Sequence, residues 1–125
     1  MTELTEKARA AGFILSEANG QRSRDNIMIA AGEGELEAGT VVAYKTSTGK
    51  YVVYQNDETD LAAKAIIIYP VNATSADVEV AAIVRDAEVI GPQLRWANTE
   101  DTGDRDAAVA DLASVGIIVR GSIDA

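Results

Sequence analysis

The run Ala65-Ile-Ile-Ile-Tyr69, closed by Pro70, restricts the possible folds most. A continuous apolar stretch of this length, rich in β-branched residues and stopped by proline, reads as a central strand buried in a sheet. Around it lie further short extended segments separated by turn residues. Thr40 to Lys45 and Tyr51 to Tyr54 are β-branched or apolar, and the turn Thr46-Ser-Thr-Gly49 between them makes a hairpin. Val78, Val80, Ala82 and Val84 alternate with Glu79, Ala81 and Ile83 as another strand, ended by Arg85-Asp86.

The first half adds Phe13 to Ser16 as an extended segment, with Asn19-Gly20 predicting a tight hairpin turn into Ser23 to Ile29. The imperfect alternation of Ser23 to Ile29 suits an edge strand with one wet face. Gly32 to Gly39, with three glycines and three glutamates, reads as a loop, and Asn72 to Asp77 as a turn. Ala87 to Ile90 extends the sheet until Gly91-Pro92 interrupts it, and Leu94 and Trp96 follow in an irregular segment. One helix is expected, with Asp104 and Asp106 at its N-terminus, Ala108, Leu112 and Val115 at helical spacing, and Gly116 as its stop. Ile117-Ile-Val119 forms a last short strand. Alternating βα units are missing, so the expected fold class is mainly β with one short helix in the C-terminal half.

Residues 1–12 are polar and charged, with too little apolar spacing to fix them in a small domain. They read as a flexible N-terminal arm before one domain spanning 13–125. At 5% aromatic residues the core must be built mainly from Ala, Val and Ile.

Charge and residue inventory narrow the function classes. A net charge of −9 opposes nucleic acid and anionic membrane surfaces, where Lys and Arg must neutralise phosphates. The sequence contains neither Cys nor His, which removes disulfides, thiolate nucleophiles, imidazole bases and the usual zinc ligands. No stretch approaches the roughly 20 apolar residues of a membrane span, and the first residues lack a secretory h-region, so synthesis in a cytosol is expected.

The acidic groups Asp57, Glu58, Asp60 and Glu100, Asp101, Asp104, Asp106 lack the spacing of a calcium loop, and helix-dipole complementarity accounts for Asp104 and Asp106. Arg85, Asp86 and Glu88 read as ion pairing at a strand end, with paired-carboxylate acid–base chemistry as the rival. No catalytic, cofactor-binding or metal-ligating set is assigned. Trp96 suits either local core packing or a contact between subunits.

The ordered series Phe13-Ile-Leu-Ser-Glu-Ala-Asn-Gly20, Ser23-Arg-Asp25, Leu36-x-Ala-Gly-Thr-Val-Val42 and Thr48-Gly-Lys-Tyr51 resembles the lambda-type head decoration protein (protein D) family of tailed bacteriophages. The likeness continues through Ala65 to Tyr69, Asn72-Ala-Thr74, Val84-Arg-Asp-Ala-Glu-Val89, Leu94-x-Trp96 and Gly116-Ile-Ile-Val-Arg120. The chain departs from the lambda protein in a short, charged arm where that protein's is rich in Pro and Thr, and in a longer acidic helix region.

The resemblance implies a compact β-clip-like domain without catalysis or cofactors. It implies a homotrimer at local threefold positions of the expanded head, on its outer surface, bound to the major capsid (coat) protein and stabilising the shell against packaged DNA. The family's arm adds to coat-protein strands, which assigns shell contact to Ala8, Arg9, Ala10, Ala11, Gly12, Phe13, Ile14 and Leu15. Pro92, Leu94 and Trp96 are the expected trimer interface. The rival readings are a small β-clip ligand-binding or metal-dependent enzyme domain using Asp86 and Glu88, and another virion β-module of a tail or fibre.

Overall fold

The computed structural model describes residues 11–20, 22–54, 62–95 and 102–121, the side chains of 102–105 excepted. Its elements are β1 (Ile14–Glu17), β2 (Arg24–Ile29), β3 (Gly34–Leu36), β4 (Val41–Lys45), β5 (Lys50–Val53), β6 (Ala63–Ile67), β7 (Val71–Ala73), β8 (Val78–Ile83), β9 (Ala87–Ile90), α1 (Thr102–Ala113) and β10 (Ile117–Arg120). A 3-10 turn, Gly91–Gln93, follows β9, where Pro92 fits the first turn because its missing N–H would be unpaired there anyway. The protein is mainly β with one α-helix among the described residues, as the sequence predicts.

Five strands close into a barrel in the order β2-β5-β4-β6-β8. Residues of one parity on four of these strands, Ile27, Ile29, Val42, Ala65, Ile67, Val80 and Ala82, converge in one buried cluster that fills the barrel. Few and short strands enclose little volume, so Ala, Val and Ile suffice. Residues of the opposite parity on β4, β6 and β8, namely Val41, Ala43, Ile66 and Ile83, join a second cluster on the outer wall. There they meet Phe13, Val89, Leu94, Ala108, Leu112 and Ile117, supplied by a three-stranded sheet, the loop after β9 and α1. Three barrel strands are thus buried on both faces. That burial explains why Ala65 to Ile68 reads as an unbroken apolar run and why Ala81 and Ile83 replace the polar residues an alternating strand would carry.

The covering sheet has the order β1-β9-β10, with β1 antiparallel and β10 parallel to β9. This corrects the predicted hairpin at Asn19-Gly20: β1 does not pair with β2, which runs antiparallel to β8 throughout and touches β5 at Ile29↔Tyr51. Asn19 also lacks the positive φ that the favoured two-residue turn demands. Local turn chemistry loses here to burial, because Phe13 and Ile14 can pack on the outer barrel wall only by leaving β2.

Ser23 holds the resulting bend. It is fully buried, its Oγ accepts the Ala18 N–H at 2.8 Å, and it donates to the Asp86 carbonyl at 2.7 Å. Ser23→Ala should cost about 1–3 kcal/mol by orphaning both backbone groups. Urea denaturation measures this, and a loss under roughly 0.5 kcal/mol would show that Ser23 is not the clasp.

Three further expectations are revised. β2 is not an edge strand, although Asn26 and Met28 do give it a wet face. The Gly32 to Gly39 loop contains β3, which pairs antiparallel with β7, a strand overlapping the start of the segment read as a turn. Leu36 of that ribbon packs against the barrel cluster, which rewards ordering the glycine-rich stretch. The β4–β5 hairpin forms as expected, with Tyr44 opposite Tyr51 and Lys45 opposite Lys50.

Two glycines meet close backbone. Gly39 has φ +91°, donates its N–H to the Ile67 carbonyl and accepts the Arg95 N–H, and a Cβ there would lie 2.8 Å from the Gln93 carbonyl oxygen. Gly116, at φ +86°, follows the helix, and a Cβ there would lie 3.1 Å from the Asp86 backbone nitrogen. The helix buries Ala108 and Leu112 completely, while Asp111 Oδ2 accepts the N–H of Ala63 at the start of β6. Val115 packs beside them from just past the helix end.

Candidate interaction surface

The outer face of the β1-β9-β10 sheet combines exposed apolar side chains with a fixed polar row. Ala87, Val89 and Ile117 point inward and are buried. Strand alternation therefore turns Glu88, Ile90, Ile118 and Arg120 outward. The register shifts between Ile14 and Ser16, so the bulge sets both Leu15 and Ser16 against Glu88. Leu15, at 55% exposure, is the most exposed large apolar residue described, and Ile118, opposite Glu88 on the other side, is exposed as well.

Glu88 sits at the centre of this face. One carboxylate oxygen accepts the Ser16 hydroxyl at 2.7 Å and the other accepts Arg120 Nε–H at 2.8 Å, so the side chain ties all three strands together. The Ser16 hydrogen bond, then Arg120, hold the Glu88 carboxyl below the usual carboxylate range. At the end of β1, Glu17 and Arg24 form a two-bonded pair at 2.8 Å that likewise lowers Glu17.

The two ends of the described fold leave this sheet at the same end of its central strand. Ile14 faces Val89 and Arg120 faces Ile90, so the start of β1 and the finish of β10 lie at the same end of β9. Ala11, just before β1, is tied to the barrel through its N–H to the Ile68 carbonyl at 3.1 Å.

The residues singled out in the sequence separate accordingly. Ala8, Arg9, Ala10 and Trp96 lie outside the described residues. Ala11 and Ile14 are half-buried, Gly12 and Leu15 are exposed, and Phe13 is a core residue at 2% exposure. Pro92 is exposed, beside Gly121 at the end of β10, whereas Leu94 is buried in the outer-wall cluster. The sequence reasoning missed Ile118 and the Ser16–Glu88–Arg120 row. The adjacent pair Ile117-Ile118 was the available signal, since a strand covered on one face cannot bury both.

The carboxylates of the rival enzymatic reading are not assembled. Glu88 has both oxygens engaged, while Asp86 lies across the bend at 4.0 Å from Arg22. Arg85 pairs with Asp25 at 3.7 Å rather than with its neighbour, because the left-handed φ of Asp86 turns the chain there. Asp57, Glu58, Asp60, Glu100 and Asp101 lie outside the described residues, and among the described residues no group of three or more acids could hold a metal ion. No helix among them is long and apolar enough to cross a membrane.

Compared with known protein families, residues 3–117 match Bacteriophage lambda head decoration protein D. The chain belongs to the lambda head decoration protein D family. No curated protein matches the chain. Membership makes it a structural component of the phage head that binds the capsid. The family match runs from the segment before β1 to Ile117, so it includes the whole of β1 and β9 and only the first residue of β10.

Proposed function

We propose that this head decoration protein is a capsid cement. Made in the bacterial host's cytoplasm, it binds the expanded head as a homotrimer at local threefold positions, bridges neighbouring coat subunits and offsets the outward pressure of packaged DNA. The family match over residues 3–117 carries this reading. Residues 8–12 and Leu15 provide shell contact, the arm by adding an extended segment to coat-protein strands, a mode in which main-chain hydrogen bonds supply affinity, while Phe13 and Ile14 anchor the segment to the domain. Pro92 and Trp96 contribute the contact between copies, and Leu94 acts through the core that holds them. Three arms on one trimer make each later contact effectively intramolecular, so one small domain suffices. With a net charge of −9 the protein contacts coat protein and not the DNA or a membrane.

Co-sedimentation with expanded, undecorated heads and with unexpanded proheads tests this. Saturable binding to expanded heads alone is expected, and no binding to either would overturn the reading in favour of a tail or ligand-binding role. Removal of residues 1–10, which spares Ala11 and its bond to Ile68, should abolish binding while leaving the melting transition in place. Undiminished binding by the truncated protein would refute the arm's part.

A further inference from the structure

Resting on the cement reading, the geometry points to the outer face of the β1-β9-β10 sheet as a second contact with the coat protein, distinct from the arm. Its elements are Leu15, Ile90 and Ile118, grouped around the Ser16–Glu88–Arg120 row. Single exposed apolar residues are ordinary on any protein, but these three flank one carboxylate within about two strand spacings, roughly 10 Å. Exposed Leu15 and Ile118 on either side of a satisfied polar row, with half-buried Ile90 beside them, have the apolar-with-polar make-up of an interaction site.

Charge supports the same assignment. On a chain with a net charge of −9, the charged groups on this face are matched: Glu88 with Arg120, and Glu17 with Arg24 at its border. A carboxylate already hydrogen-bonded through both oxygens loses less on desolvation than a free one, so a partner can cover Glu88 without stranding a charge. The row also cross-links three strands, which fixes the surface before binding and limits the ordering cost of association.

The coat protein is the occupant because of where the arm leaves. Ala11 is fastened to Ile68, and Leu15 follows within about 13 Å of chain, so a coat strand that grips the arm is brought against this face. β1 also forms an edge of its sheet among the described residues, which leaves its outer side open to the same strand.

The test uses full-length Ile118→Lys, since Ile118 lies far from the arm in sequence and its side chain is exposed. Beside wild type, the variant should bind expanded heads about tenfold or more weakly with an unchanged melting transition. Ile118→Ser, which adds no charge, should weaken binding in the same direction and serves if the lysine variant folds poorly. Wild-type affinity in a folded variant overturns the inference. Loss of self-association, measured by light scattering before heads are added, also overturns it and assigns the face to a contact between copies. If wild type itself fails to bind, the cement reading fails and this inference with it, an outcome legible from the wild-type lane alone.

Discussion

Phe13→Ala is expected to remove about 3–5 kcal/mol of folding stability, the usual cost of truncating a buried phenylalanine and leaving its cavity. Phe13 is the only phenylalanine in the chain, is 2% exposed and belongs to the cluster between the covering sheet and the outer barrel wall. Its neighbours there are mostly Ala, Val and Ile, side chains too short to reach into the vacated space. Domains of this size are stable by only about 5–15 kcal/mol, so the variant should unfold at much lower urea. Leu15→Ala, two residues away and exposed, should stay within about 0.5 kcal/mol of wild type. Equal effects of the two changes would show that β1 does not seat Phe13 inward. The contrast also separates two roles within one predicted shell-contact segment: Phe13 anchors the strand, and Leu15 is the residue free to meet a partner.

Gly39→Ala should cost about 2–4 kcal/mol through two independent strains. The first is the positive φ of +91°, which side-chain-bearing residues occupy only at about 1–3 kcal/mol. The second is the 2.8 Å approach of the new Cβ to the Gln93 carbonyl oxygen. That oxygen belongs to the backbone of the last residue of the 3-10 turn, two residues before the Thr40↔Arg95 bridge, so it cannot rotate away as a flexible side chain would. Relief requires separating Gly39 from Arg95, whose N–H donates to the Gly39 carbonyl. A drop in melting temperature on the order of 10 °C is expected in calorimetry. A drop of a degree or two would mean that this crossing is loose.

Strands whose burial is decided within themselves were legible in the sequence. Ala65 to Tyr69, Val78 to Val84 and the hairpin across Thr46 to Gly49 all lie where their patterns place them, to within two residues at each end. The helix was legible for the same reason, since helical periodicity is local, although it ends at Ala113, three residues before the Gly116 expected to stop it. Pairing was not. Asn19-Gly20 is a real local signal, but it competes with the burial of Phe13 and Ile14 against residues more than 60 positions away, which no turn motif reports. The β3–β7 ribbon was hidden because three glutamates and three glycines outweigh a single Leu36, whose packing on the barrel depends on the closed fold.

The candidate site was legible in pieces. Leu15 and Pro92 were both singled out, and they lie by the same sheet, but for reasons of chain order rather than of shared surface. Leu94 looked like a surface anchor beside Pro92 and turned inward, because the 3-10 turn rotates the chain after β9. Glu88 was read with Arg85 and Asp86 as ion pairing at a strand end, with acid–base work as the rival, and its actual partner, Arg120, was not among the residues considered. Its bond to Ser16 spans 72 positions and its bond to Arg120 spans 32, so its role exists only in the assembled sheet.

The common exit of the two chain ends makes the fold nearly circular. With Ile14 and Arg120 at the same end of β9, a short linker that keeps Ala11 to Phe13 in place could join the ends of the sheet's outer strands. The order in which the strands are read would then matter little to the packed domain, and new ends could be opened at the solvent-facing Thr46 to Gly49 turn. In such a permuted chain, everything that now departs beside Glu88 would be displaced to the far hairpin. The sheet face would remain with no tail beside it, so folding and tethering, which share one end of the native sheet, could be altered independently.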